Sequence, residues 1–127
     1  HGYTYSGHPL ATAAAEAALD TFEEEELFKR SQELAPYFEQ AVHSLSEMPN
    51  VIDIRNMGLV AGIELESRPG KPTERAFKTF LKCYEKGLLI RTTGDIIALS
   101  PPLIISKAQI DELVGIMGDA LREVGRE

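Results

Sequence analysis

Apolar positions along this 127-residue chain follow two rhythms, and the order of the rhythms outlines a fold. Residues 10–20, LATAAAEAALD, are rich in Ala and hold no helix breaker, which predicts a strong helix. Pro9 suits its first turn, where a missing N–H costs nothing, and Ser6 or His8 lies where a cap belongs. Over residues 25–46, Leu27, Phe28, Leu34, Phe38, Val42 and Leu45 recur at three- and four-residue steps, the spacing of one helix face. Pro36 falls inside that stretch and predicts a kink or a short break. The rhythm then changes to two. VIDIRNMGLVAGIEL alternates apolar and polar positions about Asn56-Met57-Gly58, the pattern of an antiparallel hairpin.

After the loop RPGKP, residues 73–86 read as a helix with Thr73 as N-cap and Gly87 as its stop. LLIRTT and IIALS predict two further strands joined around Gly94-Asp95, and Pro101-Pro102 ends the sheet. Ser106 caps a last helix whose Ile110, Leu113, Val114, Met117 and Leu121 share one face. The order α-α-β-β-α-β-β-α predicts an α+β domain with a small, mainly antiparallel sheet covered by helices. Residues 1–127 form one domain in this reading. Residues 1–24 make a turn and a long connecting helix, and residues 25–127 make the α/β layer. The first helix is surplus to the cover of four strands.

Composition narrows the class. The chain is 43% hydrophobic, enough for a core in a domain that can bury roughly two thirds of its unfolded surface. Net charge is −7 and no basic cluster exceeds two residues, so nucleic acid and anionic membranes are poor partners. The acidic run at residues 23–26 reads as a solvated helix face or a helix start. No apolar run approaches the roughly 18 residues of a membrane span. A single cysteine, Cys83, allows no internal disulfide; it sits on a helix as a buried, inert thiol and suits a reduced, cytoplasmic setting. The start has neither Met nor a targeting pattern and reads as cut from something longer.

Self-contained active-site motifs are missing. There is no GxxxxGK[ST] and no GxGxxG. His1, His8 and His43 lack metal-ligand spacing, and Thr4 breaks the nucleophile-elbow pattern in YTYSGHP. Read from the residues alone, Thr4 and Ser6 could simply cap the helix, and Arg91 could be a surface residue in a weak ion pair.

Three blocks change this picture: HGYTYSGHPLATAAAEAAL, NMGLVAGIEL and GLLIRTTGDIIALSPPLIISKAQIDEL. In this order and spacing they resemble the C-terminal part of class III, omega-type aminotransferases, fold-type I enzymes that depend on pyridoxal 5′-phosphate (PLP). HGYTYSGHP is most similar to the branch that passes amino groups from omega-amino acids or amines to pyruvate. The ornithine, GABA and aminomutase branches more often carry Asn where this chain has His8. The resemblance implies the small domain of a homodimer or higher homo-oligomer whose large domain holds the Schiff-base lysine. None of the six lysines here lies in a family lysine motif, so the segment alone is expected to be inactive.

It also implies site roles. The residue matching Thr4 contacts the phosphate of the neighbouring subunit's PLP. Tyr3, with Tyr5 as second choice, lines the substrate mouth across the interface. Arg91 clamps the carboxylate of a small-molecule substrate, amine and keto acid being the partners, with Arg55 as a rival that otherwise reads as structural. Pro101-Pro102 shapes the pocket wall. A free-standing, non-catalytic ligand-binding or regulatory α+β module is the alternative from another class, and an aminomutase the alternative within the family. Exposure of the first helix separates module from domain: a lone module covers its apolar side.

Overall fold

In the computed structural model, residues 2–127 are described. The elements run α1 (Pro9–Glu24), α2 (Leu27–His43), a 3-10 turn (Ser44–Glu47), β1 (Val51–Met57), β2 (Val60–Leu65), α3 (Glu74–Glu85), β3 (Arg91–Thr93), β4 (Ile96–Leu99) and α4 (Lys107–Val124). The four strands form one sheet in the order β1-β2-β4-β3, and all three pairings are antiparallel. The predicted α+β class holds.

Alternation along the strands gives the sheet two different faces. Ala61, Ile63 and Leu65 of β2, with Ile97 and Leu99 of β4, are buried. They meet Phe38 and Val42 of α2, Ala76 and Cys83 of α3, and Ile110, Met117 and Leu121 of α4 in one core. Residues in between point the other way, because successive side chains of a strand leave opposite sides. That opposite face carries Arg55 and Met57 of β1, Val60, Gly62 and Glu64 of β2, Ala98 of β4 and Arg91 of β3. Met57 and Val60 remain exposed.

Helix ends explain where the strands begin. Gly87 has φ +87°, a left-handed conformation that costs a glycine little, and follows Lys86, the C-cap of α3. Gly87 N–H donates to Tyr84 O and Leu88 N–H to Cys83 O, the paired bonds of a Schellman stop. From there the chain alternates: Ile90 is buried, and Leu89 and Arg91 are exposed. At α4, Ser106 Oγ accepts from Gln109 N–H at 3.2 Å while Gln109 Oε1 accepts from Ser106 N–H at 2.9 Å, a reciprocal cap. Cys83 is fully buried, donates to Met117 Sδ, and burial pushes its pKa up to about 11. The thiol is therefore protonated and inert at neutral pH.

Several expectations shift. The predicted short break at Pro36 does not occur, and α2 is continuous across it. A proline there removes one backbone hydrogen bond, whereas burial of Leu34, Phe38 and Val42 along the same face holds the helix on both sides. The α-helix ends at His43 and a 3-10 turn completes the predicted length. Asn56 and Met57 belong to β1, and the turn is Gly58-Leu59, with Leu59 folded inward. Phe28 stays exposed and stacks on Phe22 across the α1–α2 junction, centroids 5.2 Å apart.

Thr73 stands at the N-cap of α3, yet its side chain caps nothing; its backbone has φ +70°. Asp95, from the β3–β4 loop, supplies the acceptor instead: its Oδ1 takes the Thr73 N–H at 2.9 Å. Asp95→Ala is expected to destabilise the domain by about 1 kcal/mol, roughly 3–6 °C in Tm for a domain of this size. Asp95→Asn keeps an acceptor and should recover most of the loss. Thermal unfolding of the three proteins checks this.

Candidate functional site

A cleft of about 740 Å³ lies between the end of α3, the β3–β4 pair and α4. Leu88, Ile90, Leu113 and Ile116 give it apolar walls, and Arg91, Gln109 and Glu112 bring polar groups. Arg91 lies on the edge strand β3 opposite Ala98. It is exposed, and its guanidinium makes no ion pair or hydrogen bond among the described residues. An unengaged planar cation beside an apolar cleft suits a carboxylate, which it can bind through two parallel hydrogen bonds.

Arg55, the rival, is already engaged. Its Nη1 donates to carboxylate oxygens of both Asp53 and Glu64, the latter at 2.8 Å. Those hydrogen bonds, Glu64's first and Asp53's second, push its pKa up from the ordinary arginine value. The structural reading of Arg55 therefore stands.

Pro101 and Pro102 line the cleft. What fixes that wall was not legible in the sequence. Arg30 of α2 reaches over and donates to three successive carbonyls, Leu103 O at 3.3 Å, Ile104 O at 3.1 Å and Ile105 O at 2.7 Å. Ile105 N–H closes the turn onto Pro102 O at 3.0 Å. One charged side chain thus pins the segment between the sheet and α4. A lone arginine on the polar side of a helix carries no mark of a partner 73 or more residues away.

The N-terminal turn is built locally. Tyr3 N–H donates to Ser6 Oγ at 2.8 Å, Ser6 N–H to Tyr3 O, and His8 N–H to Tyr5 O. His8 is the N-cap of α1, its Nδ1 accepting from Ala11 N–H at 3.4 Å. Neither Thr4 nor Ser6 caps the helix, because Ser6 is spent on closing the turn. The Thr4 hydroxyl is exposed and has no hydrogen bond among the described residues. Tyr3 and Tyr5 are also exposed. None of these residues lines the Arg91 cleft, so within one chain the two predicted site regions stand apart.

α1 buries none of its residues; Leu10 is 76% exposed and Leu19 67%. Among the described residues no group of three His, Cys, Asp or Glu could hold a metal, and no helix is long and apolar enough to cross a membrane. The lysines are tied up away from the cleft. Lys29, Lys71, Lys78, Lys82 and Lys86 pair with glutamates, and Lys107 lies over the Tyr37 ring.

The family model for class III aminotransferases matches residues 1–121. The chain belongs to the class III aminotransferases. It is 56% identical over 124 residues to an omega-aminotransferase of Caulobacter vibrioides, covering 98% of this chain and 28% of that protein. With a beta-alanine–pyruvate aminotransferase of Pseudomonas aeruginosa it shares 42% identity over 124 residues, again 98% of this chain and 28% of the other. The solved structure of a thermostable omega transaminase mutant from Pseudomonas jessenii superposes with a TM-score of 0.91 at 29% identity, covering 99% of this chain and 29% of that one. The chain thus spans little more than a quarter of the length of the curated relatives it matches. Class III aminotransferases depend on PLP. The residues here fit part of such a site. An exposed hydroxyl suits a phosphate and a cation suits a substrate carboxylate, but no lysine lines the cleft to hold the cofactor aldehyde.

Replacing Arg30 by Ala should loosen the cleft wall by about 1–2 kcal/mol, the scale of a few exposed charge-assisted hydrogen bonds. Hydrogen exchange at the Ile105 amide should then speed up roughly five- to thirtyfold, while amides of β2 keep their protection.

Proposed function

We propose that this chain is the C-terminal small domain of a PLP-dependent omega-aminotransferase that passes an amino group from an omega-amino acid or amine to a keto acid such as pyruvate. The observation that carries the reading is Arg91: a guanidinium with no partner among the described residues, on the margin of an apolar cleft, in a class III aminotransferase chain. The names of the relatives, omega-aminotransferase and beta-alanine–pyruvate aminotransferase, support the branch.

The division of labour follows from what the side chains offer. PLP, when bound, supplies the electron sink that lets the amino-bearing carbon lose its proton. Arg91 holds the substrate carboxylate and so fixes which end of the substrate faces the cofactor. The apolar wall of Leu88, Ile90, Leu113 and Ile116 excludes water from around that ion pair and strengthens it. Thr4 donates its hydroxyl to the cofactor phosphate of the neighbouring subunit, with Tyr3 lining the mouth of that same site. The separation of Thr4 from the Arg91 cleft within one chain supports a role in trans. The lysine that would hold the cofactor belongs to the large domain in this reading, since no lysine lines the cleft here, and this domain alone is not a catalyst. The bare, apolar α1 supports a connecting helix covered by that large domain, and speaks against a free-standing module. A homodimer or higher assembly in the cytoplasm completes the reading.

Arg91→Ala in the full-length enzyme tests it. The half-reaction with a carboxylate-bearing substrate, alanine or pyruvate, should lose about 2–4 kcal/mol, or roughly thirty- to a thousandfold in kcat/KM. The half-reaction with a simple aryl-alkyl amine should change far less. Single-turnover kinetics separate the two. Equal losses on both sides would assign Arg91 to the fold or the cofactor, and no loss on either would return it to the surface.

A further inference from the structure

The segment between β4 and α4 forms one wall of the cleft, yet it has little regular structure to hold it. Residues 100–106 lie in no strand or helix. Pro101 and Pro102 bring no N–H donors, and one turn hydrogen bond, from Ile105 N–H to Pro102 O, closes the stretch. Ile105 is buried, whereas Ile104 is 62% exposed and lines the cleft. Core packing therefore anchors one end of the wall and leaves the place of Ile104 to its backbone.

That backbone is fixed by Arg30 of α2. Its Nε donates to Leu103 O at 3.3 Å, and its Nη2 donates to Ile104 O at 3.1 Å and Ile105 O at 2.7 Å. A guanidinium holds its N–H donors in one rigid plane, which suits a row of consecutive acceptors. The local alternative is passed over. Glu26 lies four residues earlier, at the spacing of an ordinary helical ion pair, and it pairs with Lys29 instead. Among the described residues Arg30 pairs with no carboxylate, so its side-chain bonds go to the cleft wall.

We infer that Arg30 is a positioning residue for the substrate: it holds Pro102 and Ile104 where the apolar tail of an acid anchored on Arg91 comes to rest. Pro102, Ile104 and Arg91 line one and the same cleft, and Arg30 itself does not line it. It acts through the backbone of residues 103–105. The inference rests on Arg91 as the carboxylate anchor and adds a second point of contact. The ligand class is a carboxylic acid with an apolar chain of several carbons. For such a ligand a loose wall forfeits close contacts and leaves the chain in water. An acid without a tail reaches Arg91 alone and is indifferent to the wall.

The test uses the full-length holoenzyme and two unreactive acids, acetate and hexanoate, with Kd read by calorimetry. Arg30→Ala should weaken hexanoate by about fivefold or more, the worth of roughly one or two buried CH2 groups, and leave acetate within about twofold. Arg30→Lys, a point charge without the planar fork, should fall between. Ile104→Ala should weaken hexanoate to a similar degree. Combining it with Arg30→Ala should add less than about twofold, because both changes remove the same contact. In turnover, KM for 2-oxohexanoate should rise about fivefold or more in Arg30→Ala, with kcat and the KM for pyruvate within about twofold. Hexanoate binding unchanged in Arg30→Ala would overturn the inference. So would equal losses for both acids, the mark of an arginine that only supports the fold, and so would full additivity with Ile104→Ala. If Arg30→Ala does not fold, Arg30→Lys carries the test, with a loss of about threefold for hexanoate expected and an unchanged ratio of the two acids decisive against. Acetate binding that survives Arg91→Ala would overturn the reading of Arg91 and this inference with it. Acetate binding lost in Arg91→Ala, with hexanoate unmoved by the Arg30 variants, would sink this inference alone.

Discussion

The structure depends on a sheet that is covered on one side only. Its strands are short, so the strict alternation of side chains divides them cleanly: Ala61, Ile63, Leu65, Ile97 and Leu99 join the helices, and Arg55, Gly62, Glu64, Ala98 and Arg91 are left on the other face. A one-residue slip of β3 against β4 would send Arg91 into the core and Thr92 out. The two-residue turn at Gly94-Asp95, with Gly94 at φ +61°, prevents it by fixing the pairing of Thr93 with Ile96. Asp95 then ties the same turn to the start of α3. The position of Arg91 is thus a consequence of register, and register is a consequence of turn chemistry and burial.

The fold was legible where periodicity is strong. The three amphipathic helices, both hairpins, the Gly87 stop and the Ser106 cap all rest on local spacing, and each forms, with the first hairpin's turn and the end of α2 shifted by a few residues. What escaped was non-local. Pro36 signals a break only if the helix around it is weakly held, and its buried face holds it. Thr73 is a capping residue by type, but a left-handed backbone turns it away from that role and Asp95 replaces it across the loop. Arg30 pins the cleft wall through carbonyls far along the chain, and carbonyls leave no trace in a sequence. The proposed site roles of Arg91 and Thr4 rest on family resemblance alone: by local spacing both are ordinary residues. The geometry then added what resemblance could not, namely that Arg55 is already bound and Arg91 is not.

The bare α1 and the open sheet face belong together. Both are apolar in part, both lack cover within this chain, and the matched segment is only 28% of the Caulobacter vibrioides relative. In the proposed reading the domain's edge offers two kinds of group, a hydroxyl on the N-terminal turn and a cation on β3, and the hydroxyl does not line the cleft beside the cation.

The central claim is that Arg91, and no other cation of this domain, meets the substrate carboxylate. A crystal structure of the full-length holoenzyme with a bound unreactive monocarboxylate tests it most directly. The account predicts two parallel hydrogen bonds of roughly 2.7–2.9 Å from the Arg91 guanidinium to the carboxylate, with Arg55 still held by Asp53 and Glu64. A carboxylate held by another residue, with Arg91 pointing into solvent, would contradict it.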